Sequence, residues 1–416
     1  MTALALRVAR AREVLRERFG FRDFRPGQRR AVQAALAGRS ALVVLPTGGG
    51  KSVCYQVPAL VLDRLTVVVS PLISLMTDQV LAARARGIAA AALTSAQSYA
   101  EREALLAEAQ AGAVRLLYVA PERLATGMMI GALRRAGVAL LAVDEAHCVS
   151  EWGHDFRPAY RQIGLVRRAL GSPPTLALTA TATLAVRDDI LASLRLPDAE
   201  RIVGSFDRPN LRLVVTRVRD DEERRRRLLR LLRPVRGAAL VYVPTRRSTE
   251  RWTRSLWHAG VAAAPYHAGL EHAVRRGVQD DFLRDRVECV VATCAFGMGI
   301  DKPDVRTVVH LGLSTSLEAY YQEAGRAGRD GRPARCEVLW TMGDLRLQRL
   351  IVPEARKLDP LIRYLTSFGC RREMLLRHFG EHRGRCGYCD RCERWDRLWR
   401  QLGGRAPVRK RVATVG

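Results

Sequence analysis

The stretch Ala41-Leu42-Val43-Val44-Leu45-Pro46-Thr47-Gly48-Gly49-Gly50-Lys51-Ser52 decides the fold. An apolar run reads as a buried strand, and the glycine-rich turn after it closes on a lysine and a hydroxyl. That is the order of a phosphate loop. Glycines leave the backbone N–H groups free to wrap phosphate oxygens, a compact ammonium reaches the terminal phosphates, and a hydroxyl ligates Mg²⁺. Lys51 is the first lysine of the chain and the only one before Lys302, where arginine fills nearly every other basic position. A planar guanidinium fork is too wide for the part the ammonium plays. The strict pattern wants glycine at position 45, where Leu45 stands, so the match is strong but not complete.

Working outward, short apolar runs recur at 41–45, 66–69, 116–119, 139–143 and 175–178, with helical patterns between them. Continuous apolar strands alternating with helices predict a buried parallel sheet. A second series follows at 239–243, 289–292, 307–311 and 337–340, which predicts two doubly wound α/β lobes. The first series closes near Phe206-Asp207-Arg208-Pro209-Asn210, whose proline and polar residues suit a crossover. Residues 219–233 mix charge and leucine as a solvated helix does. Beyond Trp340 the strand pattern stops, and residues 343–416 carry 18 Lys/Arg against 8 Asp/Glu. The expected division is therefore a nucleotide-binding lobe at 1–207, a second lobe at 208–342, a small helical module at 343–395 and a disordered basic tail at 396–416.

The 416 residues carry a formal charge of +27 and are 48% hydrophobic. Such a field attracts polyanions, nucleic acid first among them. No apolar stretch approaches the roughly 18 residues of a spanning helix, and residues 1–20 lack the apolar core of a signal peptide. A cytoplasmic protein without a membrane partner is expected. Of nine cysteines, Cys54, Cys148, Cys289, Cys294 and Cys336 sit among apolar residues, where a thiol packs as a small hydrophobe.

Asp144-Glu145-Ala146-His147 directly follows the run 139–143, where a metal-holding carboxylate should leave a strand's carboxyl end. Asp144 would hold Mg²⁺ and Glu145 would orient or deprotonate the attacking water. In the second lobe, Gln322-Glu323-Ala324-Gly325-Arg326-Ala327-Gly328-Arg329 puts two arginines three apart, a spacing that shares one face of a helix. Such arginines can stabilise charge on a transferring phosphoryl group. Cys370, Cys386, Cys389 and Cys392 make four thiolates for a closed tetrahedral zinc site. An iron–sulfur run of the bacterial ferredoxin type would place a further cysteine at position 396, which is Asp396.

Taken together, the chain resembles a RecQ-family DNA helicase from about Phe19 to Cys392. Phe24-Arg25-Pro26-Gly27-Gln28 resembles the motif that reads adenine, with Gln28 as the implied base contact beside Arg25. Ser70 to Gln79 and Ala120 to Arg123 resemble motifs facing the DNA backbone. Thr179-Ala180-Thr181-Ala182-Thr183 resembles the motif coupling nucleotide state to DNA. Val290 to Pro303, with Phe296 to Asp301, resembles motif V, and the arginine pair resembles motif VI, with Arg329 the implied finger. Ser150-Glu151-Trp152-Gly153-His154-Asp155-Phe156-Arg157-Pro158 is similar to the family's aromatic-rich loop. Trp152 and Phe156 offer stacking faces, Arg157 adds a cation for phosphate, and His154 lies among them.

The resemblance implies two RecA-like lobes, ATP with Mg²⁺ as cofactor, Zn²⁺ on the four cysteines, and single-stranded and partly duplex DNA as partner. It implies 3′ to 5′ movement and roles in repair or recombination. Many members continue into a winged-helix domain, whereas this sequence ends about two dozen residues after Cys392, so unwinding is the weaker expectation. An RNA-remodelling helicase and a DNA-binding scaffold remain the alternative readings. Trp395 and Trp399 could touch DNA or pack on the zinc module.

Overall fold

The computed structural model describes residues 2–94, 97–233, 237–294, 296, 302–352 and 354–401. It divides into two compact units, Met1–Ser205 and Phe206–Gly416. The helices after residue 342 pack within the second unit.

The first unit is built on seven parallel strands: β1 (Ala41–Val44), β2 (Leu65–Val69), β3 (Ala90–Leu93), β4 (Leu116–Val119), β5 (Val138–Val143), β6 (Thr175–Thr179) and β7 (Glu200–Val203). Their order is β3-β4-β2-β5-β6-β1-β7. Parallel strands need cover on both faces, which is why β1, β2, β4 and β6 are buried at every position. Ala31, Ala34 and Ala35 of helix Pro26–Leu36, Tyr55 and Ala59 of helix Val53–Val61, and Met76 and Val80 of helix Ile73–Ala85 share one core with Val43, Val68 and Leu178. Helix Ala3–Phe19 closes a second cluster through Ala11, Val14 and Leu15 against Val53 and Val57.

The second unit carries six parallel strands: β8 (Leu211–Arg217), β9 (Ala238–Tyr242), β10 (Ala263–Tyr266), β11 (Cys289–Ala292), β12 (Val305–Leu311) and β13 (Ala334–Trp340), in the order β10-β11-β9-β12-β13-β8. Four strands escaped the apolar-run reading, namely β3, β7, β8 and β10. They are the four edges of the two sheets. An edge strand pairs on one side alone, so its sequence need not be continuously apolar: β7 exposes Arg201 and Val203, and β10 contains Pro265, which an edge tolerates, while β3 is the short alanine run Ala90–Leu93.

Helices Met342–Ile351, Ala355–Thr366, Arg371–His378 and Asp390–Gln401 complete the second unit. The last runs through position 396, where a disordered tail was expected; residues 402–416 lie outside the described residues. Glu393 of this helix receives the guanidinium of Arg212 at 3.0 Å, so the helix covers edge strand β8. Among the described residues no helix is long and apolar enough to cross a membrane.

Residues 206–210 are held far more firmly than a crossover requires. The Phe206 ring stacks on Phe379 at 4.5 Å, the Tyr321 hydroxyl donates to the Phe206 carbonyl at 2.8 Å, and the Phe206 N–H donates to Glu381 at 2.8 Å. Arg372, buried in helix Arg371–His378, donates to the carbonyls of Arg208, Pro209 and Leu211 at 3.2, 3.3 and 2.6 Å and pairs with Asp207 at 3.4 Å. Removing that guanidinium takes a donor from the Pro209 and Leu211 carbonyls and the buried charge from Asp207, which keeps Arg383 at 3.3 Å, while the Arg208 carbonyl keeps the Leu211 N–H at 3.0 Å. Arg372→Ala should therefore lower the unfolding free energy by about 3 kcal/mol, read from the denaturant midpoint; a midpoint within error of the parent would refute the clamp.

Candidate active site and metal centre

The phosphate loop leaves the carboxyl end of β1 and feeds helix Val53–Val61. Gly48 and Gly50 adopt φ of +77° and +69°, and a Cβ on Gly49 would lie 2.7 Å from the Pro46 carbonyl oxygen. The three glycines are thus a backbone requirement. Leu45, at the position where the strict pattern wants glycine, is a buried core side chain. A Cβ on Gly27 would meet its Cδ2 at 2.6 Å and one on Gly204 at 3.0 Å, so glycines elsewhere supply the room that Leu45 takes up.

Gln28 and Arg25, expected at the nucleotide base, hold the loop itself. The Gln28 amide donates to the carbonyls of Gly49 and Gly50 at 3.0 and 3.2 Å, and its Oε1 accepts from the Arg25 N–H at 3.0 Å. Arg25 donates to the Gly48 carbonyl at 2.7 Å. The Thr47 hydroxyl is buried with no hydrogen-bond partner, a donor a phosphate oxygen would satisfy.

Asp144 and Glu145 leave β5, two strands along from β1 across β6. The Asp144 N–H donates to Val69 at 2.9 Å, and the Tyr160 hydroxyl donates to the Asp144 carbonyl at 3.1 Å. Glu145 takes a left-handed conformation, φ 46° and ψ 47°, a strain that non-glycine residues accept mainly where function demands it. Burial pushes the Asp144 carboxyl up to about 7, the neighbouring Glu145 charge adds to this, and the Lys51 ammonium opposes it. A cation would remove that penalty, and the donor set fits Mg²⁺, with Ser52 and Asp144 as the residues to hold it.

The 3-10 turn Ala146–Val149 connects this edge to the aromatic-rich loop. His147 Nδ1 lies 2.9 Å from the Thr179 hydroxyl at the end of β6 and 3.4 Å from Glu145 Oε2. The shorter contact is the hydrogen bond, and Glu145 Oε2 has no hydrogen-bond partner. The His147 ring stacks on His154 at 4.3 Å, 14° from parallel, and burial, then His154, holds it well below the ordinary histidine range. A Cβ on Gly153 would meet the His147 carbonyl oxygen at 2.4 Å, so only glycine lets the loop pass.

Of the residues expected on DNA, Trp152 is 57% exposed, and Phe156 lies under the Arg161 guanidinium at 5.6 Å. Arg157 binds inward instead of outward, donating to the Pro71 carbonyl at 2.7 Å and pairing with Asp155 at 3.2 Å. It ties the loop to the segment Ser70–Gln79. The links through Thr179, Tyr160 and Asp155 were not legible in the sequence, because each depends on which strand ends lie side by side.

In the second unit the helix Leu317–Ala324 stops before the two arginines. Arg326 and Arg329 lie in the turn that follows, which corrects the expectation that they share a helix face. Glycine at 328, φ +54°, breaks the helical path, and a Cβ there would come within 2.5 Å of Asn210 Nδ2. Arg208 fixes the turn by donating to the carbonyls of Gly325, Ala327 and Gly328 at 2.9, 2.7 and 2.9 Å. Arg326 is buried and hydrogen-bonds the Tyr242 phenol. Of the motif V segment, residues 295 and 297–301 lie outside the described residues.

Cys370, Cys386, Cys389 and Cys392 converge with all four sulfurs within 4.8 Å of one another. The pairs Cys386/Cys392 and Cys389/Cys370 stand 3.9 Å apart, and zinc at about 2.3 Å from each sulfur of a tetrahedron would set them about 3.8 Å apart. Backbone N–H groups of Cys386, Tyr388 and Cys392 point at the sulfurs of Cys370, Cys386 and Cys389 at 3.3, 3.4 and 3.5 Å, as thiolates require. His378 pairs with Glu318 at 2.6 Å.

The chain matches three family models: DEAD/DEAH box helicase over residues 25–190, Helicase conserved C-terminal domain over 223–331 and RecQ zinc-binding over 348–393. It is 44% identical over 394 residues to the ATP-dependent DNA helicase RecQ of Haemophilus influenzae, covering 92% of this chain and 63% of that protein. It is 41% identical over 397 residues to the RecQ of Bacillus subtilis (92% and 67%), and 40% identical over 376 residues to the probable ATP-dependent DNA helicase RecS of Bacillus subtilis (89% and 75%). The chain thus spans under two thirds of the Haemophilus relative. Among solved structures, the DNA-bound helicase MrfA matches at TM-score 0.67 and 18% identity over 83% of this chain and 53% of that one. The Lhr helicase of Mycobacterium smegmatis bound to single-stranded DNA matches at 0.62 and 22%, over 84% and 50%. At such identities these structures speak to the fold alone.

Because Asp144 rises from an ordinary 3.8 to about 7, its contribution to stability is full below about pH 4 and is lost as pH climbs to 7. Asp144→Asn should therefore stabilise the metal-free protein by about 2 kcal/mol at pH 8 and by little near pH 4; equal denaturant midpoints for the two proteins at pH 8 would contradict the assignment. Stripping metal from the four cysteines should lower the melting temperature of the second unit, with elemental analysis giving zinc before and none after. Iron in that analysis would overturn the zinc reading.

Proposed function

The chain belongs to the RecQ family of helicases, and we propose that it is an ATP-dependent DNA helicase and translocase, moving 3′ to 5′ on single-stranded DNA and opening partly duplex DNA. Its setting is repair or recombination in the cytoplasm. The observation that carries this reading is the meeting of four functions at the carboxyl edge of the first sheet: the Lys51 loop after β1, Asp144 and Glu145 after β5, Thr179 ending β6, and the aromatic-rich loop joined to them through His147.

Lys51 and the N–H groups from Thr47 to Ser52 hold the phosphates, Ser52 and Asp144 hold the metal, and Glu145 orients the attacking water. Mg²⁺, when bound, neutralises charge on the phosphates. Glu145 is suited to its part by the strained backbone that aims it and by the Oε2 left without a hydrogen-bond partner. Arg326 and Arg329 add positive charge to the transferring group, Arg329 as the finger. Gln28 and Arg25 act on the nucleotide by holding the loop carbonyls, and Gln28 has to release Gly49 and Gly50 to reach a base. Trp152, Phe156 and His154 take bases of single-stranded DNA, and Arg157 anchors their loop. A shift of that loop moves His154 against His147 and so alters the support of Thr179 and Glu145, which links DNA to hydrolysis.

The test is ATP turnover with single-stranded DNA or RNA beside strand separation of a fluorescent forked duplex. DNA should stimulate turnover, Lys51→Ala should abolish it, Arg329→Ala should lower it about 10³-fold, and Trp152→Ala should lose the stimulation. Equal stimulation by RNA would overturn the choice of DNA, and a duplex that stays annealed during rapid hydrolysis would reduce the protein to a translocase.

A further inference from the structure

We propose that His147, Cys148 and Asp155 form a second cation site, distinct from the four-cysteine centre, which takes zinc or a similar thiophilic divalent ion and locks the aromatic-rich loop. One ligand atom from each residue lies within 4.8 Å of the other two, and Cys148 Sγ stands 3.8 Å from Asp155 Oδ2. Imidazole, thiolate and carboxylate together suit zinc, and three protein donors leave a fourth position for water.

The backbone already sets these donors. His147 and Cys148 are consecutive in the 3-10 turn, which is closed by the Cys148 N–H on the Glu145 carbonyl at 2.9 Å and the Ser150 N–H on the His147 carbonyl at 3.1 Å. The Arg157 N–H on the Cys148 carbonyl at 2.9 Å brings Asp155 alongside. His147 is fixed by Thr179 and kept neutral by its burial, the form that ligates a metal. His147 and Cys148 are buried, while the Asp155 side chain is 37% exposed and gives an ion its way in.

Two groups oppose binding. The Arg157 guanidinium shares Asp155 at 3.2 Å, and burial raises the Cys148 thiol far above its ordinary range, so a proton must leave with each ion bound. With three protein donors and Arg157 competing for Asp155, the site is weaker than the four cysteines and fills at higher free zinc. An ion there joins the loop bearing Trp152 to the turn bearing Glu145 and draws on the same histidine that Thr179 supports. The predicted loss of DNA-stimulated turnover rests on the proposed function, whereas uptake of the ion does not.

The experiment uses the full chain with its cysteine centre already loaded, dialysed against zinc buffered in the micromolar range. Elemental analysis should rise from one zinc per chain to two in the parent, and stay at one in Cys148→Ala and in Asp155→Asn. With cobalt in place of zinc, the added ion should bring a thiolate-to-cobalt charge-transfer band in the parent that Cys148→Ala lacks. Over the same zinc range, stimulation by single-stranded DNA should fall several-fold in the parent and not in Cys148→Ala. A parent that stays at one zinc, or a Cys148→Ala chain that still takes two, overturns the site. Two zinc ions with unchanged stimulation keep the site and overturn its control of the loop.

Discussion

Parallel pairing fixes where chemistry can occur in this protein. A parallel sheet sends all its strands out at one edge, and in the first unit β1, β6 and β5 are neighbours there. Three segments far apart in sequence, at 45–52, 179–183 and 144–149, consequently meet without any long side chain having to reach. Central strands such as β1 and β6 are buried at every position, so the polar groups at this edge sit in the loops at the strand ends, and those polar groups bind one another. His147 is the junction, with Thr179 on one side, His154 on the other and Glu145 within 3.4 Å. Its low affinity for a proton keeps a charge out of the centre of this network.

That same constraint explains what the sequence made legible. Central strands are covered on both faces, so all nine of them could be read from apolar runs such as Leu42-Val43-Val44 and Val290-Val291. The four edge strands carry no such requirement and were missed. Residues defined by local backbone demands were also legible: the glycines at 48, 49 and 50 and the cysteine spacing each encode a short-range geometry. Long-range partnerships were not. Nothing in Phe24 to Gln28 reveals that Gln28 binds loop carbonyls, and nothing near Arg157 reveals Pro71 as its acceptor. Leu45 is instructive, because a departure from a motif was accommodated by glycines 18 residues before and 159 residues after it. The arginine pair was expected on a helix and lies in a turn, since a spacing of three fits a turn as well as a helix.

In the second unit the zinc module, the segment 206–210 and the arginine turn form one continuous set of contacts. Cys370 caps helix Arg371–His378, whose Arg372 grips the carbonyls of Arg208, Pro209 and Leu211. The Arg208 side chain then grips the carbonyls of Gly325, Ala327 and Gly328, on either side of Arg326 and next to Arg329. Buried guanidinium groups bound to carbonyls are costly to desolvate and costly to disturb, so each link transmits position rather than yielding. Zinc binding supplies folding free energy to the first member of this chain, and the last member carries the two arginines. A module that looks from sequence like a basic appendage is therefore part of what holds the arginine turn in place, and a metal on the four cysteines would steady that turn from more than forty residues further along the chain.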